Sequence, residues 1–166
     1  MDWDGFWTLI EQCREHSTKC LPMARHLRKQ LSKLPAEEID SFYGHFHEAL
    51  DDAYRADLWD VANIVLDRCS EGTFLKFRGW LIAQGRGAYE AMMKSPGRVI
   101  EFAPDDEDAV CVPILYAAGE AYHDKTGSWD IPAHKARTPR TLERELLDDE
   151  GLRERYPELW GKFRGR

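Results

Sequence analysis

His47 and Asp51 stand four residues apart in the stretch HFHEALDD, a spacing that puts an imidazole and a carboxylate on one face of a helix. General-base catalysis or metal binding needs such a pair, and His45 and His47 flank Phe46 just upstream. The same spacing also describes an ordinary exposed helical pair. No further ligand is dictated by position, so no metal is expected. Glu120-Ala-Tyr-His123 is an E-x-x-H on a helical stretch. Di-iron bundles carry two such motifs plus two more glutamates, and one motif alone reads as a solvated face. There is no GxSxG and no cysteine with a catalytic signature around it. The GRG at 85–87 lacks the GxxxxGK[ST] form and follows a helix rather than a strand, so no cofactor is expected and no catalytic residue is assigned.

Arg78 poses a different question, because it lies inside GTFLKFRGWLIAQGRG, among Phe, Trp, Leu and Ile. On a helix, Phe74, Arg78, Leu81 and Ile82 share a face, which lays the guanidinium stem against the core. An unpaired buried charge is costly, so a carboxylate or several carbonyls must meet it. Asp57 and Asp60, on the preceding segment, are best placed by sequence, and Asp51 comes next. One reading is a structural ion pair tying two helices together. The other is a pocket arginine that reads a carboxylate or phosphate bidentately. Both need the same arginine beside the same aromatics, so both stay open. Tyr54, Asp57, Trp59, Arg78 and Trp80 form the candidate binding groove.

Two basic clusters bear on charge recognition. Lys19, Arg25, His26, Arg28, Lys29 and Lys33 decorate one segment, and His134, Lys135, Arg137 and Arg140 lie in another. Such clusters are usually solvated faces, but adjacent in space they would bind an anion or an acidic partner. The acidic runs Asp105–Asp108 and Asp148–Glu150 would dock a basic partner or simply keep the chain soluble.

The elements that must position these residues are helical throughout. Asp4 is expected to cap a first helix with Phe6, Leu9, Ile10 and Cys13 on its apolar face. Pro22 opens a second, with Met23, Leu27, Leu31 and Leu34, and Pro35 starts a third along Ile39, Phe42, Phe46, Leu50 and Ala53. Asp57 is expected to cap a fourth helix and Ser70 a fifth, the latter carrying Arg78 and running to Gly85. A short helix over Tyr89–Lys94, a longer one over Ala109–Lys125 and one or two in the tail complete the set, with GRVIEF as a short extended piece. SWDIPAHKARTPR, with two prolines and no period, is expected to be an ordered loop. This is an all-α pattern, a compact irregular bundle of about seven or eight helices in one domain.

Composition bounds the function classes. The chain has 166 residues, 43% hydrophobic and 11% aromatic, enough for a real core. Its net charge of −7 disfavours non-specific nucleic-acid binding. The longest nearly uncharged run, AVCVPILYAAG, has 11 residues, far short of a bilayer span. Cys13, Cys20, Cys69 and Cys111 show no CxxC spacing, and the start MDWDGFW is acidic rather than a basic export signal, so free thiols in a cytoplasmic protein are expected.

The block Tyr54–Gly87 resembles the central pattern of a bacterial family known as domain of unknown function 4240: A-Y-R-x-D-L-W, a turn with Cys-Ser and acids, then F-x-x-F-R-x-W-L-I-x-x-G. The matching positions are Tyr54, Arg55, Asp57, Leu58, Trp59, Cys69, Ser70, Phe74, Phe77, Arg78, Trp80, Leu81, Ile82 and Gly85. Asp67-Arg68 stands where a glycine pair is usual, and Glu71-Gly72 where two acids are. The resemblance implies a bacterial protein with a family-like core at about 1–103 and a helical extension at about 104–166. It implies no activity. The function expected is a non-catalytic module binding a protein or a small anion; the alternative is a metal-assisted hydrolase using His45, His47, Asp51 and Asp57. Oligomeric state is left open.

Overall fold

Each amphipathic stripe becomes a helix because its apolar residues meet in one contiguous core, from Phe6 in the first helix to Leu159 in the last. The computed structural model describes residues 1–165, and of Ala136 only the backbone. α1 (Trp3–His16) buries Phe6, Trp7, Ile10 and Cys13. Its cap is Asp2, whose carboxylate accepts from the Gly5 N–H at 2.7 Å, so the helix begins ahead of the expected Asp4. α2 (Cys20–Leu31) buries Met23, Ala24, Leu27 and Leu31, and α3 (Ala36–Asp52) buries Ile39, Phe42, Phe46 and Leu50. α4 spans Ala56–Val65 and α5 spans Glu71–Ala83, capped as expected by Ser70, whose hydroxyl accepts from Thr73 N–H. Arg55, not Asp57, holds the cap position of α4, and Asp57 sits in its first turn.

α6 (Arg86–Lys94) leads into a 3-10 turn (Pro96–Arg98) and the one-turn α7 (Val99–Phe102). GRVIEF is therefore helical rather than extended. Val99 is fully buried, and Arg98 pairs with Glu101 three residues on, a spacing that a helical turn brings together. α8 (Val112–Thr126) ends at Gly127 in the left-handed conformation, φ 76°. A 3-10 turn, Pro132–Ala136, interrupts the expected loop, and Pro157 divides the tail into α9 (Asp149–Arg155) and α10 (Pro157–Phe163). Ten α-helices among the described residues exceed the seven or eight expected, because the tail folds twice and α7 adds a turn. No strand is present among them, and no helix is long and apolar enough to cross a membrane.

α8 packs on α2, α3 and α5. Gly79 of α5 permits the close approach, since a Cβ there would lie 3.0 Å from Leu115 and 3.1 Å from the Cys111 carbonyl. Arg28 of α2 fastens the same layer by donating to Glu120 and Asp124 of α8 at 2.8 Å each, which leaves the E-x-x-H glutamate engaged in packing. The expectation of four free thiols is corrected here: Cys20 and Cys111 form a disulfide, Cα atoms 5.6 Å apart, between helices that packing alone brings together. Cys13 and Cys69 are free, and burial pushes both thiols up to about 11, so neither is a thiolate nucleophile at neutral pH.

The C-terminal segment runs back over α3 and α4 on polar contacts. Asp40 accepts from Ala133 N–H, Glu143 from Ala56 N–H, and the fully buried Asp60 from Leu147 N–H and Arg144, the last at 2.6 Å. α10 closes the end of α4, where Arg164 bonds Asn63 O and Asp67.

Asp67 (φ 53°) and Arg68 (φ 73°) both adopt left-handed backbone, the physical reason for a glycine pair in the family pattern. Arg68→Gly is expected to raise stability by about 1 kcal/mol in urea unfolding, because the exposed side chain makes only a 4.0 Å contact with Asp149. For the disulfide, which links residues 91 apart, reduction is expected to lower stability by about 4 kcal/mol. Non-reducing peptide mapping should recover Cys20 linked to Cys111.

Candidate functional site

Arg78 is 7% exposed, and what meets it is not a carboxylate. Its Nη1 donates to the Leu50 carbonyl at 2.8 Å. Leu50 lies in the last turn of α3, where carbonyls lack intrahelical partners, and the Tyr54 N–H goes to Asp51 O instead. The guanidinium carbon is 4.9 Å from the ring centres of both Tyr54 and Phe74, an arrangement that keeps the charge against two π faces. Nε is buried and has no hydrogen-bond partner among the described residues. Burial lowers the pKa of Arg78, and the Asp51 carboxylate, followed by Tyr54 and Glu71, opposes that shift.

The expected contacts to Asp57 and Asp60 are therefore corrected. Arg55 takes Asp57 in a bidentate pair at 3.0 and 2.6 Å, with the Leu58 N–H adding a third bond. Asp60 is consumed by Arg144 and Leu147. Asp51, the third candidate, acts on Arg78 through its field while its oxygens are bonded by Arg137 at 2.6 and 3.3 Å.

Arg78 lines a pocket of about 280 Å³ whose other charged walls are Arg137, Arg140, Asp51 and Glu71. Three guanidiniums and two carboxylates line it, and Arg140 is also paired with Asp52 at 2.9 Å. Arg137 also donates from Nη1 to His47 Nδ1 at 2.7 Å, which requires a neutral imidazole protonated on Nε2. Burial first, then the positive charges of Arg137, His134 and Arg78, hold the His47 pKa down to about 3. Tyr54 donates to Glu71 at 2.8 Å; burial and that carboxylate raise its pKa against the pull of Arg78, so the phenol keeps its proton.

Residues 1–124, which include all of this wall except Arg137, Pro139 and Arg140, match the model of the family described as protein of unknown function DUF4240. The chain belongs to that family. The resemblance read from Tyr54–Gly87 is borne out. No curated protein and no solved structure is significantly similar to the chain. The family match ends before Arg137 and Arg140, so the pocket joins a family-encoded floor to a wall supplied from outside the matched region.

Of the other residues singled out, Trp59 stacks on Phe74 with ring centres 4.5 Å apart and donates to Cys69 O, behind the pocket rather than in it. Trp80 stacks on Phe77, and its exposed edge lines a separate cleft with Arg14 and Lys19. His45 turns away from His47: its Nε2 lies 3.1 Å from Met1 O, and its ring packs on Trp3 and Phe6. The His47–Asp51 pair is real, but the cationic Arg137 bridges it. Among the described residues no group of three His, Cys, Asp or Glu side chains is placed to hold a metal. The sequence marked the basic loop of His134, Lys135, Arg137 and Arg140 but could not join it to Arg78, because no periodicity relates a loop to a helix.

His47 sets a pH dependence. The unfolded chain binds its proton below about pH 6.5, whereas the folded protein does so only near pH 3. The unfolded state therefore holds more protons in between, and stability falls as pH drops through that window. Against His47→Gln, whose amide oxygen can still accept from Arg137, the wild type is expected to lose up to about 1 kcal/mol more per pH unit between pH 6.5 and 5. Urea unfolding at several pH values measures the difference, and parallel curves would show that His47 titrates normally in the fold.

Proposed function

We propose that the protein is a non-catalytic binding module of a single all-α domain, and that its Arg78 pocket takes a small anion. The observation that carries this is a nine-tenths buried guanidinium whose one hydrogen-bond acceptor among the described residues is the Leu50 carbonyl, lining a pocket that two further arginines wall. Guanidinium offers five donors in a planar fork, and the fold names one acceptor for Arg78. A carboxylate or phosphate oxygen supplies the acceptors the protein does not, and the desolvated setting strengthens each bond formed. The size of the pocket suits a small anion better than a protein segment, the other expectation from the sequence. No side chain in it is a nucleophile, since Tyr54 is held as the phenol and His47 is bonded to Arg137. A bacterial cytoplasmic setting belongs to the same reading, and it would make the oxidation state of Cys20 and Cys111 depend on the redox poise there.

Titration calorimetry with inorganic phosphate tests the proposal. Wild-type protein is expected to bind, with affinity falling as salt rises. Arg78→Met, which also removes the donor to Leu50 O, should lose at least tenfold in affinity, measured on protein that circular dichroism shows to be folded. Arg140→Gln, at a side chain 52% exposed, should fold normally and lose several-fold. No binding of phosphate, sulfate or acetate by the wild type would sink the reading, and so would binding that both variants retain in full.

A further inference from the structure

The Arg78 pocket does not end at its arginines. His47, Leu50 and Leu75 line it and also line a second pocket of about 370 Å³. The walls change character there. Leu115 and Tyr116 come from α8, and Trp129 and Ile131 from the turn that follows it. The one acid on this wall, Glu120, is already held by Arg28 at 2.8 Å. Four large apolar side chains are exposed among the described residues, and three of them rim this chamber: Leu75, Tyr116 and Trp129, at 36%, 60% and 65%. Trp129 is nevertheless held in place by His123, whose ring stacks on the indole at 4.1 Å and 13°. Fixed aromatic surface left in water beside an open chamber is what an apolar ligand group would cover.

An arginine-lined chamber and an apolar chamber sharing one wall together define a shape and a polarity. Their combined size lies within the roughly 300–1,000 Å³ typical of small-molecule sites. We propose that the anion bound by this protein is amphipathic: a carboxylate head against Arg78, Arg137 and Arg140, and a hydrocarbon body against Leu115, Tyr116 and Trp129. This rests on the anion-binding reading and deepens it by naming the ligand class. Charge complementarity sets the polarity of binding, because a carboxylate in the apolar chamber would lose its hydration without gaining a donor, while an acyl chain beside Arg78 would leave that guanidinium with the Leu50 carbonyl as its one hydrogen-bond acceptor among the described residues. Gly119 is the space-making position. A Cβ there would lie 3.8 Å from Ile131 Cδ1, an ordinary contact, so a larger side chain would project into the chamber without strain on the helix.

The test uses the full chain, with calorimetry and tryptophan fluorescence, and the probes acetate, butanoate, hexanoate, octanoate, octan-1-ol and inorganic phosphate. Affinity is expected to rise about threefold or more per added methylene from acetate to octanoate. Octanoate should shift tryptophan emission, and octan-1-ol should bind at least tenfold more weakly than octanoate. Gly119→Leu is expected to flatten the chain-length series while leaving phosphate binding intact. Trp129→Ala, at an exposed residue that cannot threaten the fold, should weaken octanoate several-fold and phosphate not at all. A flat series in wild-type protein that still binds phosphate overturns this inference and leaves the anion reading standing. Octan-1-ol binding as tightly as octanoate also overturns it, since the head would then go unread. Failure of every anion to bind overturns both.

Discussion

A guanidinium taken out of water needs an acceptor, and the one that this protein supplies to Arg78 is the end of another helix. α3 finishes in Asp51-Asp52 with no basic residue in its own last turn, so its C-terminal carbonyls and two carboxylates concentrate negative charge at one point. Arg78 from α5 caps the Leu50 carbonyl, Tyr89 donates to the Ala49 carbonyl at 2.7 Å, and Arg137 and Arg140 pair with Asp51 and Asp52. The helix end that is wrongly charged by itself and the arginine that is too polar for its surroundings each relieve the other. Because Arg78 is sandwiched by Tyr54 and Phe74, the same arrangement fixes the turn between α3 and α4 against α5.

The C-terminal segment extends this logic. It crosses α3 and α4 through acids that those helices present, Asp40, Asp51, Asp52 and Asp60, and each is met by a backbone N–H or an arginine of the segment. Asp60 is the most demanding of them, since it is fully buried and is met, among the described residues, by the Arg144 guanidinium and the Leu147 amide. Segment and pocket are therefore one construction: the arginines that pin the chain to α3 are also the walls of the anion chamber.

The apolar framework was legible in the sequence. Phe6, Ile10 and Cys13, then Ile39, Phe42, Phe46 and Leu50, and later Phe74, Phe77 and Leu81 are all buried on the faces their spacing implied. Stripes of this kind are local, because each helix must hide one side whatever it packs against. Cap positions were less legible. Asp2 rather than Asp4 caps α1, and Arg55 rather than Asp57 precedes α4, because several acids stood near each start and only the backbone path chooses among them. The glycine pair replaced by Asp67-Arg68 was visible as a departure, but its meaning needed the two left-handed φ values.

Polar partners were the least legible. Proximity in sequence favours Asp57 and Asp60 as counter-ions of Arg78, yet each is claimed by another arginine, one two residues away and one 84 residues away. The family match and the all-helical class followed from the sequence itself, because a shared residue pattern and a 3.6-residue period are properties of short stretches of chain. The composite pocket, the Cys20–Cys111 link and the carbonyl that meets Arg78 followed only from tertiary structure. Each depends on where distant segments cross, and that geometry is set by packing the whole core rather than by any residue's neighbours along the chain.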